Sequence, residues 1–159
     1  MNLHLNQKNM EKENKLETMR HSLSHVMAQA VLELFPEARL GIGPAIEEGF
    51  YYDFDLGEKS FGPNDLKEIE KKMKKIISGN QKFEKYEEDI KKAIAYIKKK
   101  KQPYKHELAR DLEKEGETKL SFYRMVALNG KKKFIDLCKG PHVASTKEIG
   151  KNRRRVLEG

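Results

Sequence analysis

The sequence predicts an α+β domain in which helices pack against an antiparallel β-sheet, with a His-x-x-x-His helix at its centre. Runs of apolar residues at helical spacing are interleaved with β-rich runs along the chain. The β-rich runs come in pairs joined by turn residues, and Asn129-Gly130 is a strong hairpin signal between two of them. A length of 159 residues suits one compact domain.

The first element is the clearest helix. Thr18 can cap it and Pro36 ends it. Its apolar residues recur every three or four positions: Met19, Leu23, Val26, Met27, Ala30, Val31 and Leu34. Residues 1–17 are mostly Asn, Gln, Lys and Glu, so we expect a polar leader that packs little.

A β-hairpin is predicted next, from Leu40-Gly41-Ile42-Gly43-Pro44-Ala45-Ile46 through a turn at 47–49 into residues 50–55. Because side chains alternate along a strand, Phe50, Tyr52 and Phe54 share one face of the second strand. That face is expected to pack, while Tyr51, Asp53 and Asp55 face solvent.

Three further helices are predicted in the middle of the chain. The first runs from Pro63 to Gly79. Its inward residues are expected to be Leu66, Ile69, Met73, Ile76 and Ile77. After an extended stretch over 83–86, the second helix carries Ile90, Ala93, Ile94 and Ile97 until Pro103 breaks it. Leu108 and Leu112 mark the third.

The final third predicts a hairpin of residues 120–128 and 133–137, which places Cys138 at a strand end. We therefore expect a domain over 18–146. A basic tail over 147–159, disordered or foreign to the native chain, contains Arg153-Arg154-Arg155. If native, these arginines could hold RNA phosphates.

Composition limits the classes of function. The formal charge of +8 favours a polyanionic partner such as nucleic acid, although a merely solvated surface gives the same charge. Cys138 is the single cysteine, which excludes an intrachain disulfide and fits a reducing cytoplasm. No apolar run approaches the roughly 20 residues that span a bilayer, so no membrane association is expected.

Two clusters carry candidate chemistry. His21 and His25 are four residues apart and share one face of the first helix. Cys138 and His142 lie in a loop that Gly140 and Pro141 force to turn after the last strand. Together the four side chains suit tetrahedral zinc. They could equally orient a water for ester hydrolysis without a metal, and spacing leaves both open.

Three ordered blocks carry a family resemblance: the His-x-x-x-His helix, Gly49-Phe50-Tyr51-Tyr52-Asp53-Phe54, and Asp136-Leu137-Cys138-Lys139-Gly140-Pro141-His142. Together they resemble the editing domain of threonyl-tRNA synthetases, over about His21 to Thr146. Alanyl-tRNA synthetases carry similar histidine and Cys-x-x-x-His pairs, but the second and third blocks are of the threonyl type.

The resemblance implies that serine wrongly esterified to threonine tRNA is hydrolysed with a positioned water and no required cofactor. His21, His25, Lys105, Cys138 and His142 would form the catalytic pocket. Lys105 and His21 would activate the water, and the other three would hold the ribose and the seryl group. Tyr52 and Asp136 would bind the substrate, with Asp136 anchoring its ammonium or hydroxyl. Lys105 is the less secure match, and an ordinary surface lysine is the alternative.

The resemblance also implies partners: the aminoacylated three-prime end of tRNA, and a class II synthetase core in a parent protein that itself binds ATP. The chain as given contains no such core, so we expect no aminoacylation by it, whether fragment or free-standing protein. Three other interpretations remain: a non-catalytic zinc module, an alanyl-type editor of seryl-tRNA(Ala), and a basic RNA-binding protein.

Overall fold

The computed structural model describes residues 3–42, 45–46 and 49–151. Its helices are α1 (Leu3–Leu34), α2 (Pro63–Ser78), α3 (Ile90–Lys99), α4 (Pro103–Lys114) and α5 (Thr146–Lys151). Its strands are β1 (Arg39–Leu40), β2 (Ala45–Ile46), β3 (Gly49–Phe50), β4 (Phe54–Asp55), β5 (Lys82–Asp89), β6 (Lys119–Val126) and β7 (Lys132–Leu137). All strand pairs are antiparallel, which confirms the predicted α+β class.

Helix α1 begins fifteen residues before the predicted start, so the prediction of Thr18 as its cap was wrong. The Thr18 hydroxyl donates to the carbonyl of Asn14 over 2.9 Å, a bond within the helix that lets the backbone continue through this position. Residues 6–15 are exposed. The polar segment expected as a leader is therefore an exposed helical extension of α1.

The hairpin predicted over 40–55 is confirmed and forms two short ladders. Leu40 pairs with Phe54, and Ala45 pairs with Phe50 nearer the turn. Tyr52 is buried and Tyr51 is exposed, as the alternation predicted. The turn residues 47–48 lie outside the described part of the chain.

Strands β5, β6 and β7 form a three-stranded sheet in that order. The turn after β6 contains Gly130 at φ 84°, which agrees with the Asn-Gly hairpin signal. One face of the sheet contributes Phe83, Met125 and Phe134 to a core built mainly on α1 and α2. The opposite face packs Phe122 against α3 and α4. Because Asp136 is two residues from Phe134, it faces the α1 side.

Two predicted details of the packing differ from the structure. Leu66 of α2 was expected to face inward, but it is 57% exposed. The core takes its α2 contacts from Ile69, Met73, Ile76 and Ile77, and the first turn of the helix contributes none of them. Beyond residue 146 the chain forms α5, whose Ile149 is 1% exposed in the core. Residues 152–159, including the three arginines, lie outside the described residues.

The long α1 is polar over its first half, and no helix in the described ranges has a stretch both long and apolar enough to cross a membrane.

Candidate active site

The two predicted histidine clusters meet. One ligand atom from each of His21, His25, Cys138 and His142 lies within 4.8 Å of every other. The Cys138 Sγ is 3.5 Å from His21 Nε2 and 3.4 Å from His142 Nε2. We call these four side chains the imidazole–thiol cluster. Helix α1 supplies two of them, and the loop after β7 supplies the other two.

The His21 ring is oriented by the backbone of that loop. Its Nδ1 lies 3.0 Å from the carbonyl oxygen of Pro141. A carbonyl only accepts, so Nδ1 of the neutral ring carries the hydrogen. The Nε2 lone pair therefore points toward Cys138.

The His142 ring is oriented by a residue that the sequence analysis missed, Ser22. The Ser22 hydroxyl donates to the Thr18 carbonyl over 2.9 Å and accepts the backbone N–H of Val143 over 3.0 Å. Since its one hydrogen is used, its 3.0 Å contact with His142 Nδ1 has the ring as donor. Ser22 thus binds the loop to α1 and turns the His142 Nε2 lone pair toward the thiol.

Ser22 had a signal in the sequence. It falls on the apolar stripe of the helix, between Met19 and Val26, and is fully buried there. A hydroxyl on such a stripe must find partners inside the fold, which marks it as a residue that holds something in place.

Burial keeps the cluster uncharged. Burial lowers the pKa of His25 well below its ordinary value, and His21 and Lys105 lower it further. The pKa of His142 is lowered by burial first and by His25 and His21 next. For His21, burial outweighs the opposing hydrogen bond to Pro141 and lowers the pKa. Burial likewise raises the pKa of the Cys138 thiol. At neutral pH the cluster therefore presents neutral imidazoles and a protonated thiol.

A second group of side chains surrounds Asp136, and we call Tyr52, Lys105 and Asp136 the carboxylate network. Lys105 Nζ lies 3.3 Å from Asp136 Oδ1. The Tyr52 hydroxyl donates to Oδ2 over 2.6 Å. Burial and the adjacent carboxylate raise the pKa of Tyr52 well above its ordinary value, so the phenol keeps that hydrogen. Lys105 is only 7% exposed, which rules out the alternative of an ordinary surface lysine.

The two groups touch at His25. Its Nδ1 is 3.7 Å from Asp136 Oδ2, and its ring centroid is 4.3 Å from that of His142. Lys105 Nζ also lies 5.4 Å from the centre of the Tyr52 ring. All seven residues predicted for the site are therefore brought together.

Glycine is required in the loop that carries Cys138 and His142. Gly140 has φ +83°, a region that side chains with a Cβ rarely adopt. A Cβ at this position would lie 2.5 Å from the hydroxyl oxygen of Tyr123. Tyr123 and Phe83 both pack on the His142 ring, with centroids at 4.4 and 5.3 Å.

The donor set fits a metal ion. Zinc–nitrogen and zinc–sulfur bonds of 2.0–2.3 Å imply ligand atoms about 3.3–3.8 Å apart in a tetrahedron. The two Sγ–Nε2 distances of 3.4 and 3.5 Å already match. The Nδ1 atoms of His21 and His142 are held by the Pro141 carbonyl and the Ser22 hydroxyl, and such partners are usual for metal-binding histidines. The four side chains are thus close enough to bind a metal.

Comparison with known proteins agrees with this geometry. The model of the threonyl and alanyl tRNA synthetase second additional domain matches residues 123–153, which include Asp136, Cys138 and His142. Over 130 residues the chain is 50% identical to the threonine--tRNA ligase of Acetivibrio thermocellus, covering 82% of this chain and 19% of that protein. The enzyme of Clostridium acetobutylicum is 48% identical over 132 residues, with 83% and 19% covered. That of Bifidobacterium longum is 43% identical over 149 residues, with 88% and 22% covered.

The fold, the site and the family match define the class of the chain: a second additional domain of the kind found in threonyl and alanyl tRNA synthetases. The three relatives are all threonine--tRNA ligases, which confirms the resemblance to the threonyl-tRNA synthetase editing domain. The chain spans about a fifth of the length of these relatives.

Proposed function

We propose that this domain hydrolyses the ester bond of seryl-tRNA(Thr), using a water held between the imidazole–thiol cluster and the carboxylate network. The observation that carries the proposal is that the imidazole–thiol cluster adjoins the buried Lys105–Asp136 ion pair, with His25 Nδ1 3.7 Å from Asp136 Oδ2. Neutral imidazoles can take a proton at physiological pH, and the buried charges can bind a polar substrate group.

His21 is the best placed base for the attacking water. It is partly exposed, whereas His25 is 3% exposed. Its Nε2 lone pair would take a proton from the water as the water oxygen attacks the ester carbonyl carbon. The tetrahedral intermediate then expels the ribose oxygen, which takes that proton back. Serine and free tRNA are the products.

The carboxylate network supplies the polar contacts. Asp136 keeps lone pairs for a further donor, because a carboxylate offers about four lone-pair sites. Tyr52 and Lys105 occupy two of these sites over 2.6 and 3.3 Å. The seryl ammonium or hydroxyl would take the next site. Lys105 would help to position the water, while His25, Cys138 and His142 would hold the ribose and the seryl group.

Cys138 is proposed to act without a covalent bond to the substrate. Burial raises the pKa of its thiol, and a nucleophilic cysteine needs the opposite shift. We expect Cys138→Ala to retain deacylation within a few-fold of the parent rate, and His21→Ala to lose about 10²-fold or more. A covalent seryl-enzyme trapped on the parent protein would contradict this role.

The selectivity that such a site must supply is set by one methyl group. A methylene contributes only about 1–3 kcal/mol to discrimination in binding, so a synthetic site that accepts threonine also accepts some serine. A second pocket that admits serine and excludes threonine corrects the error. The decisive experiment follows ester loss from seryl-tRNA(Thr) and threonyl-tRNA(Thr) with the protein at micromolar concentration. Loss of serine alone supports the proposal, and equal stability of both esters rejects it.

The same assay separates the other interpretations. Preferential loss of serine from seryl-tRNA(Ala) would indicate alanyl-type editing. RNA binding that weakens with salt, without ester loss, would indicate a basic RNA-binding protein. In a longer parent, we propose that the domain works beside a class II catalytic core on the same tRNA, in the cytoplasm.

A zinc-binding role without catalysis is the second candidate, supported by the closeness of the four ligand atoms of the imidazole–thiol cluster. His21, His25, Cys138 and His142 would hold the ion, which would stabilise the fold by cross-linking α1 to the loop after β7. Protein purified without added zinc would then retain about one ion per chain and lose thermal stability on chelation. Full deacylation by metal-free protein would remove zinc from the reaction.

A further inference from the structure

A concave site lies outside the candidate active site, between the α3–α4 turn and β1. It has a volume of about 400 Å³ and is lined by Arg39, Lys98, Lys101, Gln102, Pro103 and His106. We call it the basic cleft. Four of the six lining residues are cationic or imidazole side chains, and none is acidic.

The cations of the cleft are largely available. Arg39 is 3.9 Å from Asp55, and its side chain is 55% exposed. Lys98 and Lys101 are exposed, and neither forms an ion pair with any residue that the structure describes. Three strong cations around one concavity, Arg39, Lys98 and Lys101, produce a local positive field.

The cleft is also held rigidly, through Gln102. Its side-chain oxygen accepts the backbone N–H of Leu40 over 2.7 Å, and its side-chain nitrogen donates to the carbonyl of Ala38 over 3.2 Å. These bonds flank Arg39 on both sides and tie β1 to the α3–α4 turn. As a result the backbone at Arg39 is held at the cleft that Lys98 and Lys101 also line.

Helix α4 joins the basic cleft to the candidate active site. His106 lines the cleft, while the preceding residue, Lys105, pairs with Asp136 in the site. Their Cα atoms are about 3.8 Å apart. Tyr104, the next residue back, is 46% exposed and donates to the Asp55 carboxylate that also contacts Arg39. An exposed aromatic side chain therefore shares the Asp55 carboxylate with one of the cations, Arg39.

We propose that the basic cleft binds a backbone phosphate of a single-stranded RNA end, whose terminal ester enters the neighbouring site. Arg39 would pair with the phosphate oxygens, Lys98 and Lys101 would add charge, and a base would stack on Tyr104. The inference rests on the proposed function and names the part of the tRNA that this surface contacts. The single-stranded RNA that precedes the ester would then supply binding affinity at the cleft, and the candidate active site would carry out the hydrolysis.

The test compares two triple variants of equal charge change. Arg39→Ala/Lys98→Ala/Lys101→Ala removes the cleft cations. Lys67→Ala/Lys71→Ala/Lys75→Ala removes three exposed lysines of α2, also lowering the formal charge by three. Binding of uncharged tRNA(Thr) is measured from 50 to 300 mM salt, with hydrolysis of seryl-tRNA(Thr) and of seryl-adenosine, which has no phosphate.

The cleft variant should bind tRNA about tenfold or more weakly, with a salt slope shallower by roughly 0.7, the contribution of one neutralised phosphate on a single strand. It should raise KM for seryl-tRNA(Thr), leave kcat within about twofold, and hydrolyse seryl-adenosine normally. The α2 variant should show a clearly smaller loss of binding. Equal losses in the two variants, or an equal loss for double-stranded DNA, would overturn the proposal. If no variant hydrolyses any ester, the proposed function fails, yet the binding data still decide on the cleft.

Discussion

The imidazole–thiol cluster and the carboxylate network touch each other but are stabilised in opposite ways. The cluster consists of groups that burial keeps neutral, and two of them, His21 and His142, are oriented by hydrogen bonds to Pro141 and Ser22. The network consists of charges that balance each other, Lys105 against Asp136 over 3.3 Å. Orientation in the cluster therefore depends on uncharged neighbours, whereas orientation in the network depends on the partner's charge.

Because of this difference, substitutions in the two groups should change stability and activity in different proportions. Loss of a network partner leaves a buried charge without its counterion, which costs much free energy. Loss of a positioning group in the cluster leaves a neutral polar atom unsatisfied, which costs less but misdirects a lone pair. Four changes can test this contrast, in order of expected effect.

The largest effect is expected from Asp136→Asn. The substitution keeps the shape of the side chain but leaves the Lys105 ammonium, only 7% exposed, without its counterion. Removal of one partner from a buried pair costs about 3–5 kcal/mol. Urea denaturation of Asp136→Asn, of Lys105→Met and of the double variant that combines them gives the coupling energy between the two side chains. If the two single costs simply add in the double variant, the network is not held by mutual charge.

The next effect is expected from Gly140→Ala, which tests the loop that carries two members of the cluster. At φ +83° an alanine is strained by about 1–2 kcal/mol, and its Cβ would overlap the Tyr123 ring, which packs on His142. We expect a total loss of about 2–3 kcal/mol in the unfolding free energy. The matched control is Gly130→Ala, with φ +84° and open space around the added Cβ. A loss equal to that of the control would show that the Tyr123 contact contributes nothing.

The sequence predicted the imidazole–thiol cluster better than the carboxylate network, for a physical reason. His21 and His25 share a helix face by spacing alone, and Cys138 and His142 share one turn, so local geometry limits where they lie. Lys105 lies on helix α4 and Asp136 lies on strand β7, and nothing in helical or strand periodicity joins them. For that residue, as for Tyr52, the family resemblance supplied what spacing could not.

The errors in the fold have equally local causes. Thr18 resembles a cap because its side chain can accept a backbone N–H, but the same hydroxyl can donate within a helix, and it does so to Asn14. Leu66 fits the apolar period of α2, yet the core ends before the first turn of that helix. Periodicity states which side chains could be buried, while the neighbouring elements decide which of them are.

A smaller effect is expected from Ser22→Ala, which removes the hydroxyl between α1 and the loop. The backbone N–H of Val143 and the His142 ring nitrogen both lose a buried acceptor, so we expect a loss of about 1–3 kcal/mol. The control is Ser24→Ala. Ser24 is equally buried, and its hydroxyl donates within α1 to the His21 carbonyl. The kcat of deacylation should fall more in the Ser22 variant than its loss of unfolding free energy accounts for, because the His142 ring is no longer oriented. Equal kcat in the two variants would contradict a positioning role.

The smallest effect is expected from His25→Gln. It is a change in how the unfolding free energy depends on pH, and this change is confined to acidic pH. Burial lowers the pKa of His25 well below the ordinary value of about 6.5, so under mildly acidic conditions the unfolded chain binds a proton that the fold excludes. Its contribution to stability is therefore complete above pH 6.5 and is lost as the pH falls below it. Replacement should reduce the slope of unfolding free energy against pH by about 1.4 kcal/mol per pH unit between pH 5 and 6.

Urea denaturation from pH 5 to 8 measures this slope, and Val26→Ala is the control. Val26 is adjacent and fully buried but does not titrate, so its loss of stability should be the same at every pH. Since burial also lowers the pKa of His142, His142→Gln should reduce the slope similarly. An unchanged slope in both histidine variants would mean that the fold does not keep these rings neutral, and the distinction between an uncharged cluster and a charged network would fail.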